Sequence, residues 1–172
     1  MGSLDCFAPL AMTLVWERAC LEHAVMADEM IGLLALVAAA FYSGAALYVN
    51  LVEQPALVAL DDRAALAGWK IALKRGALIQ APLCVIGFLL GLIGWIETRA
   101  VGAELGSLAM LAGIPWTVAV ILPINKALQA TVPEATGERS RVQLQRWYSL
   151  HSVQTALGLL ALIAFFAALL PG

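Results

Sequence analysis

The chain has 172 residues, a formal net charge of −2, 62% hydrophobic and 13% charged residues, and a mean hydropathy of +0.88. A soluble domain carries about a quarter charged residues, so this composition excludes an ordinary soluble domain and indicates an integral membrane protein. With no basic stripe, Gly-rich phosphate loop or paired cysteines, it also excludes nucleotide binding, nucleic-acid binding and thiol redox chemistry.

Residues 1–26 are mildly apolar between Ala8 and Trp16, without a basic start or a small-residue cleavage site. They fit a signal peptide poorly. They are read as an N-terminal extension, disordered or from a misplaced start, and residues 27–172 as one four-helix membrane domain. The first span is expected over 27–52. Its middle, Ala38 to Ala46, is rich in small residues that let helix backbones approach closely. It ends on Asn50-Leu51-Val52-Glu53-Gln54-Pro55. Asn50 and Glu53 share a helix face, and Pro55 is expected to stop the helix. An ionisable group at the edge of a span is costly without partners and is therefore a functional candidate.

The first connection, 53–76, is charged. Asp61-Asp62 is expected to cap a short amphipathic helix ending at Lys74-Arg75 and lying in the membrane interface. The second span, 77–96, carries Gly87 and Gly91, a spacing that suits packing within the chain. Cys84 inside it reads as a small apolar residue. The third span, 105–124, contains Pro115, expected to kink it, and Pro123, expected to close it. The third connection, 125–149, is again basic, with 138–148 extending the fourth span, 150–170. The fold class is therefore all-α: a four-transmembrane-helix bundle with short interfacial or cytoplasmic helices in the first and third connections.

Orientation follows from the cations. Arg63, Lys70, Lys74, Arg75, Lys126, Arg139, Arg141 and Arg146 lie in the two long connections, against Arg18 and Arg99 on the other side. The positive-inside bias puts the long connections in the cytoplasm and both termini outside, in the cell (inner) membrane. Asn50 and Glu53, Gln80, Asn125, and Trp147, His151, Gln154 and Thr155 then lie at one depth. They predict a polar pocket open to the cytoplasmic side, with Lys74, Arg75 and Arg146 at its mouth. His151 suits proton transfer near neutrality, and Glu53 is its expected orienting partner. One His, one Glu and carboxamides fall short of a metal-ligand set, so no metal is expected.

Taken together, Asn50 to Pro55, Trp69 with Lys74-Arg75, Pro115-Trp116-Thr117, Pro123-Ile124-Asn125 and Arg146-Trp147-Tyr148-Ser149-Leu150-His151 with Thr155 resemble the anthrone oxygenase-like family. The resemblance covers the chain from about residue 30. Family members of known activity oxidise anthrones to anthraquinones with molecular oxygen and no dedicated organic cofactor. The resemblance thus implies an oxygenase of a flat phenolic compound soluble in the bilayer, with oxygen as co-substrate. One position departs: the family pattern places Arg three residues after the His, where this chain has Gln154. His151 would act as general base, with Asn50, Asn125 or Gln80 stabilising the oxyanion. The rival readings are a non-enzymatic small transporter, a lipid- or quinone-binding subunit, or a packing module with a purely structural polar belt. Homo-oligomerisation is left open.

Overall fold

The computed structural model describes residues 7–170 and, before Met26, only the side chains of Trp16 and His23. Helix α1 runs Phe7–Tyr48, so it begins inside the segment set apart as an extension. A π turn, Val49–Glu53, joins it to the short α2, Gln54–Val58. Helix α3 is Asp62–Thr98 and α4 is Val101–Trp116. A second π turn, Thr117–Ile121, leads into α5, Leu122–Ala130. After a single 3-10 turn, Pro133–Ala135, α6 spans Glu138–Ala168. Among the described residues there is no strand.

Four of these stretches are long and apolar enough to cross a membrane. They pack as an antiparallel ring in chain order. Helix α1 touches α3, α3 touches α4, α4 touches α6, and α6 closes back onto α1. The fold is the four-helix bundle the sequence implies, with three differences at its basic end.

First, Pro55 and Pro123 do not stop their helices. Proline lacks an N–H and clashes with the carbonyl four residues earlier. In both places the turn just before the proline widens to an i→i+5 register. Gln54 N–H bonds to Val49 O, and Leu122 N–H bonds to Thr117 O. The chain thereby stays helical through each proline. Second, no separate interfacial helix precedes the second span. Asp61 caps the helix as expected, its Oδ1 accepting from the N–H groups of Arg63 and Ala64 at 3.0 Å, but α3 then runs unbroken to Thr98. The amphipathic segment lies along the bundle because Ala65, Leu66 and Trp69 are buried against it. Third, part of the basic charge is structural. Arg141 pairs with Asp62 and donates to the carbonyls of Val58 and Leu60. Lys70 donates to the carbonyls of Gln129 and Thr131. These two cations tie the long connections together.

The opposite half of the bundle is held by close backbone approach. The Gly87 and Gly91 pair faces Met110 and Phe165 of the same chain, as expected for internal packing. A Cβ on Gly91 would sit 2.6 Å from two ring carbons of Phe165 and 3.1 Å from Ser107 Cβ. Gly91→Leu is therefore expected to cost about 1–3 kcal/mol through overpacking. A lowered unfolding midpoint in detergent checks this. Gly44→Leu, where nothing lies within 4 Å, should leave the midpoint in place.

Candidate functional site

Two aromatic side chains set the position of the site. Trp69 from α3 and Trp147 from α6 are both buried and meet edge to face, with ring centroids 5.6 Å apart. Trp147 then stacks on the His151 ring one turn further on, at 5.0 Å and 23° between planes. Tyr148 packs edge-on against Trp147 from the other side. The imidazole is thus clamped on one face by a rigid column of rings.

His151 is buried, and a chain of hydrogen bonds fixes its tautomer. The hydroxyls of Ser152 and Thr155 donate to helix carbonyls, those of Tyr148 and His151. Their oxygens are then left to accept from Asn50 Nδ2, at 3.3 and 2.9 Å. With its amide so oriented, Asn50 presents Oδ1 to His151 Nδ1 at 3.0 Å. That contact needs a proton on Nδ1, which leaves the lone pair on Nε2. Among the described residues no protein group makes a hydrogen bond to Nε2.

Common depth in the membrane pairs Glu53 with His151, but the π turn separates the roles of Asn50 and Glu53. Asn50 reaches behind the ring and holds it. Glu53 lines the cavity in front of it and makes no hydrogen bond or ion pair among the described residues. Asn50 is therefore the orienting partner in this structure, and it does not line the cavity.

The cavity has a volume of about 290 Å³ and lies between α1 with its π turn, α3, the α4–α5 segment and α6. His151, Glu53, Gln80, Asn125, Gln154 and Trp147 all line it, as do Tyr42, Cys84 and Thr117. Two of the three carboxamides are held by hydrogen bonds. Asn125 Oδ1 accepts from Trp147 Nε1 at 2.6 Å, which leaves the Asn125 amide N–H groups free. Gln154 Nε2 donates to Thr117 Oγ1 at 2.5 Å, and Thr117 donates in turn to Gly113 O. Gln80 has no partner among the described residues. The cavity therefore offers one basic nitrogen, one carboxylate and several amide donors on largely apolar walls.

Besides Asn50, four expected residues lie elsewhere. Thr155 is buried behind His151, in contact with Asn50. Lys74, Arg75 and Arg146 are exposed, and none lines the cavity. The expected basic mouth is absent because the opening is lateral. Ala77, Ala81 and Val85 on α3, Ile114 on α4 and Val118 in the π turn after it line the cavity and are exposed within the spans. This window is tied at one end by Lys70 to the carbonyls of Gln129 and Thr131. At the other end Cys84 Sγ meets Met110 O at 3.1 Å. Its rim is exposed and apolar.

Tyr42 is the residue that spacing missed. It is buried, lines the cavity, and its hydroxyl has no protein partner among the described residues. It sits in a run of small residues that reads as packing surface. The available signal was the phenol itself, because a hydroxyl in the middle of a span needs a partner. Cys84 is buried and free; Cys6 and Cys20 lie outside the described side chains.

The fold is that of a small four-helix membrane protein with a largely apolar cavity beside a buried histidine. The anthrone oxygenase family model matches residues 69–164, more than half of the chain, and the chain belongs to that family. The matched segment includes Gln80, Asn125, Trp147, His151 and Gln154 but not Asn50 or Glu53. No curated protein and no solved structure matches the chain.

Proposed function

We propose that the protein is an oxygenase of a flat, phenolic, anthrone-like compound, using molecular oxygen as co-substrate. The observation that carries this is the tautomer of His151: Nδ1 bound by Asn50, Nε2 left basic and unpartnered on the cavity wall. The substrate reaches the cavity from the bilayer, between α3 and α4. The long basic connections lie on the cytoplasmic side of the cell membrane.

His151 Nε2 removes a proton from the acidic ring carbon. The negative charge moves onto the substrate's carbonyl oxygen, where the free amide groups of Asn125 and Gln80 donate to it. The electron-rich carbon reduces and combines with oxygen to form a peroxide. Loss of the second hydrogen with cleavage of the O–O bond releases water and leaves a carbonyl. One CH₂ and one O₂ become one C=O and one H₂O. Glu53, facing the same cavity, stabilises the imidazolium and accepts its proton. Gln154, in place of the family's Arg, leaves this part of the wall neutral.

Oxygen uptake in nanodiscs supplied with an anthrone-type phenol tests the activity. One O₂ consumed per quinone carbonyl formed is the expected result. Uptake equal to that of empty nanodiscs would contradict it. The lateral route has its own test. Ala81→Trp narrows the window and is expected to raise KM about tenfold, the loss of roughly 1.4 kcal/mol of binding, with a smaller change in kcat. An unchanged KM would move the access route elsewhere.

A further inference from the structure

A second groove lies on the other face of α3, between α3 and α1, with a volume of about 470 Å³. Its outer walls are Ala45, Tyr48, Ile71 and Ile79. Tyr48, Ile71 and Ile79 are exposed within membrane-spanning helices. Its inner wall includes Glu53 and Gln80, which also line the main cavity. Val49, Ala72 and Gly76 line both spaces as well.

Arg75 also lines this groove. Three other cations at the basic end already have protein acceptors. Lys70 is on two carbonyls, Arg63 is 3.9 Å from Glu134, and Arg141 is paired with Asp62. Arg75 has no hydrogen bond or ion pair among the described residues. A guanidinium beside an apolar groove calls for an anion, and its planar fork favours phosphate.

Depth narrows the choice of anion. The apolar run of α3 begins at Ala77, so Arg75 lies at the boundary where lipid headgroups sit. Ile79, one turn deeper, and Ala45 across from it lie at acyl-chain depth. A phospholipid presents the same order: a phosphate at the boundary, ester carbonyls just below, and a hydrocarbon chain beyond. Lys74, exposed beside Arg75, adds a second positive charge at headgroup level.

We propose that this groove binds one anionic phospholipid from the leaflet at the basic end of the bundle. Arg75 holds the phosphate, and the acyl chain lies along Ala45, Tyr48 and Ile79. The Gln80 amide donates to an ester carbonyl. Because Gln80 also lines the main cavity, lipid occupancy sets its orientation there. That last consequence rests on the oxygenase reading; the binding site itself does not.

Native mass spectrometry of the full-length protein tests it, with phosphatidylglycerol and phosphatidylcholine of identical chains titrated into detergent. One retained phosphatidylglycerol per chain is expected, at about fivefold lower lipid concentration than for phosphatidylcholine. Arg75→Gln is expected to abolish that preference, and Lys126→Gln, an exposed cation outside the groove, to preserve it. Ile79→Trp fills the groove while keeping Arg75, and should also displace the lipid. Equal retention of the two lipids by the native chain, or undiminished preference in both groove variants, would overturn the proposal. The readout needs no substrate and no turnover, so it succeeds or fails separately from the oxygenase activity.

Discussion

His151→Ala is expected to lower oxygen consumption with an anthrone-type phenol by about 10²- to 10⁴-fold, the range for loss of a general base. The effect should fall on kcat, because the cavity walls that bind an apolar ring system remain. The histidine is buried on Trp147 and bonded to Asn50, so truncation also opens a hole and strands the Asn50 carbonyl. His151→Gln separates the two effects. Its amide can still donate to Asn50 and fill much of the space, yet it has no basic nitrogen. The account requires both variants to insert and both to lose turnover. A His151→Gln protein with native turnover would remove His151 from the chemistry.

The second large effect is expected at Asn50, which does not touch the cavity. Asn50→Leu removes the acceptor for Nδ1–H and the donor to Thr155. The imidazole is then free to hold its proton on Nε2, the wrong nitrogen for a base facing the substrate. A fall in kcat of about 10- to 100-fold is expected, part of the full general-base contribution, with KM nearly unchanged. Leaving these buried polar groups unpaired should also cost about 1–3 kcal/mol of stability. Asn50→Asp keeps an acceptor for Nδ1–H and should recover most of the rate, which a merely structural role would not require. Glu53→Gln should cost less than either. The reverse ranking, with Glu53→Gln severe and Asn50→Leu mild, would restore the carboxylate as the partner of His151.

The bundle was legible in the sequence because four apolar runs of bilayer length leave few alternatives. The belt of Glu53, Gln80, Asn125, His151 and Gln154 was legible for a related reason. Polar residues at matching ends of antiparallel spans must lie at similar depth. Their pairing was not. Helical spacing assumes 3.6 residues per turn, and the π turn Val49–Glu53 rotates Asn50 and Glu53 relative to that rule. One residue is carried behind the imidazole and the other in front of it. The same local widening let the helix pass Pro55, where a proline without an N–H reads as a stop. The basic mouth failed for a different reason. Charge counts give the side of the membrane but not the azimuth of a side chain around its helix, and Lys74, Arg75 and Arg146 do not line the cavity. Tyr42 was hidden by its neighbours: a run of small residues signals packing, and the one phenol within it carries little weight in any window average.

The central claim is that His151 deprotonates a lipophilic phenolic compound held in this cavity. It is tested most directly without oxygen, by mixing the purified protein with an anthrone under strictly anaerobic conditions and following absorbance. The account predicts that the native chain accumulates the bound, conjugated anion near neutral pH, that His151→Gln does not, and that admitting oxygen converts the anion to the quinone. Persistence of the neutral compound with the native protein, or equal anion formation by His151→Gln, would contradict it.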